Sequence, residues 1–166
     1  ADAVTIADCP IGRPRADSSL LACKLKRELG VEPLPHMTCR DRNLNATKAL
    51  LLGLSIEGVH NVLLVTGDPI PSEDRDEVKS VFNFNSRRLA AYVSGLNENV
   101  LQTPFRIFGA LNVNAKNFAA QLSVAREKEA CGVSGFLTQP VLSREALENL
   151  KLARQTLRGK ILGGIY

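Results

Sequence analysis

Short apolar runs alternate with longer amphipathic stretches along the whole chain. The runs are "AVTIA" (3–7), "EPLPHMT" (32–38), "NVLLVT" (61–66), "FRIFGALN" (105–112), "GFLTQP" (135–140) and "ILGGIY" (161–166). They are nearly continuous rather than alternating, as expected of parallel strands covered on both faces. Between them, apolar residues recur at helical spacing. In "SREALENLKLARQTLRG", Leu147, Leu150, Ala153 and Leu157 share one face, Ser143 suits an N-cap and Gly159 a C-terminal cap. In "NATKALLLGLSIEG", Ala46, Leu50, Leu51 and Leu54 form a similar stripe. Gly30-Val31, Gly58-Val59 and Gly132-Val133 each stop a helical pattern shortly before the next strand. The helix in "RRLAAYVSGLNEN" is read as ending around Asn97.

Strands follow one another at about 28 residues, with one interval near 45. This is a βα repeat, compatible with a doubly wound sheet or a (β/α)8 barrel. No G-x-G-x-x-G follows a strand, which disfavours a dinucleotide-binding Rossmann unit. The predicted fold is therefore α/β, a (β/α)8 TIM barrel present as an incomplete barrel of about six parallel strands and five helices. A single domain is expected over 1–166, with the first strand and the last unit missing.

In a parallel barrel all strand C-termini lie at one end, where function resides. The chain places Asp8, then His36, Thr38 and Arg40, then Thr66 and Asp68, then Asn112 and Asn114, then Thr138 and Gln139 at those tips. The opposite turns are mostly Gly-Val. The long interval "DPIPSEDRDEVKSVFNFNS" starts on the same side, at Asp68.

Each tip residue carries two readings. Asp68 before Pro69 is either a turn former capping backbone N–H groups or a site carboxylate, with equal weight. His36, alone in an apolar run, reads more readily as core. Gln139 before Pro140 leans functional, because an amide ending a buried strand must find partners. Asn114 reads as the cap of a helix starting near Ala115, and Lys128 in "REKEA" as part of a solvated face. No Ser-His-Asp order, glycine-rich phosphate loop or metal cluster is present.

Composition narrows the classes. The 45% hydrophobic and 23% charged residues are those of a globular chain, and no apolar run approaches a membrane span. The net charge of +4 is spread among acidic neighbours without interleaved aromatics, which disfavours nucleic acid. Cys9, Cys23, Cys39 and Cys131 form no CxxC pair, so a reducing cytoplasm is the expected compartment. Pattern alone yields a barrel enzyme that binds a small polar ligand.

The segments "PHMTCRDRN", "VLLVTGDPIP", "FGALNVNAKNF" and "GVSGFLTQPV", followed by "KILGGIY", resemble the methylenetetrahydrofolate reductase family. The wording is most similar to the reductase part of bacterial proteins that join it to a homocysteine S-methyltransferase. The resemblance implies FAD across the C-terminal face of the barrel and NADH or NADPH as hydride donor. It also implies reduction of 5,10-methylenetetrahydrofolate to 5-methyltetrahydrofolate. Asp68 and Gln139 would be catalytic and folate-binding. Asp8, His36, Thr66, Gly67, Asp68, Asn112, Ala115 and Lys128 would hold the cofactor.

Several positions depart from the family pattern. Ala7 and Asp8 replace a Thr-Tyr pair, Thr66 an arginine, and Asn112 a histidine. The family's glutamate-bearing first strand would fall upstream of Ala1, so the 166 residues alone are expected to reduce little or no folate. A homo-oligomer is expected, since an incomplete barrel exposes strand edges. Competing readings are a flavin-free pterin-binding barrel of methyltransferase type and a non-catalytic barrel fragment.

Overall fold

The computed structural model describes residues 2–165. Strands and helices alternate: β1 (Ala3–Ile6), α1 (Ser18–Leu29), β2 (Glu32–Thr38), α2 (Leu44–Ile56), β3 (Asn61–Val65) and α3 (Ser86–Asn99), then β4 (Arg106–Leu111), α4 (Phe118–Ala130), β5 (Gly135–Pro140), α5 (Arg144–Thr156) and β6 (Lys160–Gly164). The six strands form one sheet in chain order, and every neighbouring pair is parallel. Among the described residues β1 and β6 each have a single partner, so the sheet is open. This is an incomplete (β/α)8 barrel.

Alternation along the strands sorts the two faces. Met37, Val62, Leu64, Ile107 and Phe136 join Leu51, Leu54, Leu89, Val93 and Ala153 of the helices in one core cluster. The intervening Leu34, His36, Thr38, Leu63 and Phe108 belong to the barrel-interior face. Burying a large aliphatic or aromatic side chain stabilises by about 1.5–3 kcal/mol, which holds the helical layer against the sheet.

The helix starts follow from capping. Asp17, Asn43, Asn85, Asn117 and Ser143 each accept a hydrogen bond from a backbone N–H in the first turn of α1 to α5 respectively. Ser143 meets its expected role. The helix before β5 is capped by Asn117, not Asn114, and begins at Phe118 rather than near Ala115. Asn114 instead donates from Nδ2 to the Pro140 carbonyl at 3.0 Å, tying the loop after β4 to the end of β5.

The stops are partly as expected. Gly30, Gly58 and Gly132 have φ of 65°, 73° and 101°. Gly159 is not left-handed: α5 closes on Leu157 in extended conformation, and Gly159 passes the Ser134 carbonyl where a Cβ would lie 2.9 Å from the oxygen. α3 runs on to Asn99, because Asn97 faces inward and its amide brackets the backbone N–H and C=O of Phe105 at 2.8 and 3.0 Å. The stripes also shift by one residue. Thr47 rather than Ala46 is buried in α2, and Ala146 rather than Leu147 in α5.

Candidate active site

The C-terminal rim is assembled by register. His36 pairs with Leu63, Thr38 with Val65, Leu63 with Phe108 and Leu111 with Thr138, so the polar tips stand side by side just beyond the paired rows. His36 is half-buried on the interior face, and its Nε2 is shielded from solvent with no hydrogen-bond partner among the described residues. Burial holds its pKa below the ordinary value, against a weaker upward pull from the Asp8 carboxylate. The imidazole is therefore neutral at pH 7.

Gly67 follows β3 with φ 97°. A Cβ there would lie 3.0 Å from Thr38 Cβ and 3.3 Å from Arg40 Cβ, so only glycine lets the two strand tips close up. Asp68 comes next and is exposed. Its Oδ2 accepts from the Ile11 backbone N–H at 2.9 Å, and its backbone carbonyl accepts from Arg40 Nη1 at 3.3 Å. The capping reading of Asp68 is thus realised through one oxygen, and Oδ1 is left over.

Beneath this surface lies an ionic clamp. Asp8 Oδ2 accepts from the Thr38 N–H at 3.0 Å, the Thr38 hydroxyl at 2.9 Å and Arg42 Nη1 at 2.7 Å. Arg42 Nη2 reaches the Asp17 carboxylate at 2.8 Å. Desolvation acts to raise the Asp8 pKa, but the Arg42 and Thr38 hydrogen bonds and the Arg42 charge outweigh it and hold the carboxyl below its ordinary range. Arg40, only 4% exposed, grips the Asp41 carboxylate through Nε and Nη2 at 2.7 and 2.6 Å.

The remaining expected residues divide. Thr66 is exposed at the tip, and its carbonyl accepts from the Cys39 N–H at 3.1 Å. Asn112 Oδ1 accepts from the Asn114 N–H at 3.0 Å, and Ala115 is half-buried beside it. Gln139 is exposed, where a buried amide with partners was expected, and it lies in an irregular stretch between Leu137 and Pro140. Asp8, expected as a ligand contact, is buried and committed to the clamp. Lys128 is not on a solvated charged face. It is half-buried with its stem over Gly109, and its Nζ donates to the Ala110 carbonyl at 2.9 Å, near the C-terminal end of β4. Burial lowers its pKa, with a further push from Arg87.

His36, Asp68 and Gln139 share the rim but line none of the four cavities described. The roomiest of these, about 700 Å³, lies at the opposite end between α4 and α5, beside Arg126, Glu129 and Arg158. A smaller one of about 290 Å³ sits in the long loop next to Asp68, lined by Pro69, Ile70 and Phe82 among others.

The family model described as methylenetetrahydrofolate reductase matches residues 1–165. The chain belongs to the methylenetetrahydrofolate reductase family. Membership makes it a reductase-family chain of one-carbon folate chemistry, carried on an incomplete TIM barrel. No curated protein matches it. Among the described residues no three His, Cys, Asp or Glu side chains could hold a metal ion, and no helix is long and apolar enough to cross a membrane.

Reasoning from sequence missed Arg42, Asp17 and Ile11. Two of these join the clamp across sequence separations of 25 and 34 residues, and Ile11 reaches Asp68 across 57. Only the "RDRN" charge cluster after β2 was a visible signal.

Proposed function

We propose that the rim binds FAD and a folate for the reduction of 5,10-methylenetetrahydrofolate to 5-methyltetrahydrofolate with NADH or NADPH as electron source, and that residues 1–166 by themselves reduce little or no folate. The observation that carries the flavin reading is the orphaned Nε2 of His36. It is a buried polar atom on the interior face, and leaving such a group unpaired costs about 1–3 kcal/mol. A ring heteroatom of a bound isoalloxazine would relieve that cost, so the residues present fit the group. FAD, when bound, supplies the hydride carrier between nicotinamide and folate.

The chain's own residues then bind and orient. His36, kept neutral by burial, offers one donor and one acceptor rather than a charge. Gly67 presents bare backbone beside Thr38, and the Thr66 hydroxyl and the Asn112 and Ala115 tip extend the cradle. Asp68 keeps Oδ1 open to accept from the donor edge of a pterin, and the exposed Gln139 amide adds a donor and an acceptor in one plane. Rigid strand ends under these groups limit misplacement, to which hydride transfer is sensitive. Asp8 serves this surface from beneath by fixing Thr38. Lys128 spends one of its three ammonium N–H donors on the Ala110 carbonyl and keeps the others for phosphate groups.

The wider context follows the same reading. We read residues 1–166 as one unit, and the similarity of its motif wording to bacterial bifunctional proteins supports a homocysteine S-methyltransferase domain as its partner. Four free cysteines suit a reducing cytoplasm.

The test is reconstitution. Protein mixed with FAD and passed through a desalting column should retain flavin colour and lose it on addition of NADH or NADPH. His36→Leu should weaken FAD retention at least tenfold. A colourless protein that still binds 5-methyltetrahydrofolate would instead support the flavin-free pterin barrel.

A further inference from the structure

We propose that the loop between β1 and α1 is a strap that positions Asp68, with the backbone N–H of Ile11 as the positioning donor. The proposal rests on the folate reading given above, in which Asp68 recognises the pterin. An exposed aspartate on a loop tip ordinarily samples several rotamers. Here one oxygen is pinned at 2.9 Å by an amide 57 residues away, which selects one carboxylate orientation and leaves the other oxygen free.

The pin is bought with backbone strain. Ile11 has φ 58° and Cys9 has φ 45°, both left-handed, and for a β-branched residue this is a genuine outlier. Such conformations persist only where the surroundings over-determine them. Four contacts do so. Gly12, at φ 73°, lies so close to the Pro69 carbonyl that a Cβ would stand 2.5 Å from its oxygen. Arg13 Nη2 pairs with Glu73 at 2.9 Å, and the Gly12 and Arg13 N–H groups close the turn on the Cys9 and Pro10 carbonyls at 3.1 and 3.2 Å. Ile11 is 80% exposed, so apolar burial does not explain the strain. Among the described residues, the only long-range hydrogen bond made by the Ile11 backbone goes to Asp68.

Two measurements test this on the full chain. Without ligand, amide hydrogen exchange at Ile11 is compared between the parent and Asp68→Ala; at least tenfold faster exchange in the variant is expected, and an unchanged rate overturns the strap. With ligand, calorimetry uses 5-methyltetrahydrofolate as probe, and urea unfolding runs alongside. Ile11→Pro removes the donor and forbids the left-handed φ, and should weaken binding at least tenfold, by more than the accompanying fall in the unfolding midpoint accounts for. Ile11→Gly, which keeps the N–H and suits the backbone, should rescue the affinity. Binding by Ile11→Pro within twofold of the parent, or a loss of affinity matched by a loss of stability, overturns the strap alone. Failure of the parent to bind the probe overturns the folate reading and this proposal together.

Discussion

A methyl group at Gly67 meets Thr38 Cβ at 3.0 Å on a backbone with φ 97°, so Gly67→Ala strains the residue and pushes the β2 and β3 tips apart together. The expected cost is about 1–3 kcal/mol, read as a lower midpoint in urea. Loss of FAD retention should exceed what the stability change alone predicts. Asp8 acts in the same layer through charge. Its folded pKa lies below the ordinary carboxylate value of 3.8, so its contribution is fully present above that pH and is lost as pH falls through the folded value. His36, also depressed, loses stability over a higher window, from its ordinary 6.5 downwards. Stability plotted against pH should therefore fall in two stages on acidification. His36→Gln should remove the upper stage and Asp8→Asn should shrink the lower one, to which Glu32, held down by its Lys26 hydrogen bond, also contributes. A single descent unaffected by either variant would contradict both assignments. Asp8→Ala should cost about 3 kcal/mol, because Arg42 and Thr38 lose a buried partner.

At the scale of elements, the connection from α3 into β4 depends on one amide. Asn97 satisfies both backbone groups of Phe105, and Asn97→Leu leaves them buried and unpaired for an expected loss of about 2–4 kcal/mol. Asn99→Leu, two residues on and exposed, is the control and should stay within about 0.5 kcal/mol of the parent. This pair also shows what could be read in advance. Strand positions were legible because burial on both faces leaves an unbroken apolar run, and helix stops were legible where glycine adopts positive φ at Gly30, Gly58 and Gly132. Asn97 was mistaken for a stop because asparagine tolerates the left-handed turn, while its real partner lies eight residues ahead with no periodic trace. The same blindness hid the Arg42 clamp. The rim residues His36, Gly67 and Asp68 were legible as strand tips, but the strap on Asp68 was not, since a backbone donor carries no sequence signature.

On the scale of the whole molecule, the sheet's open edges dominate. β1 and β6 each offer an unpaired row of backbone groups, and β6 adds Leu162 at 54% exposure. Such an edge is a template for pairing with another chain. Light scattering after size exclusion should therefore find oligomers whose mass grows with concentration. Leu162→Lys places a charge on the edge and removes apolar surface worth about 1.5–3 kcal/mol, which corresponds to roughly a tenfold or greater weakening of self-association. The far edge offers a control. Thr5→Lys, facing the interior on β1, should weaken association equally if β1 meets β6 of a second copy, and have no effect if β6 pairs with β6. A chain that stays monomeric at every concentration would mean that neither edge is available, and that the loops flanking β1 and β6 cover them in solution.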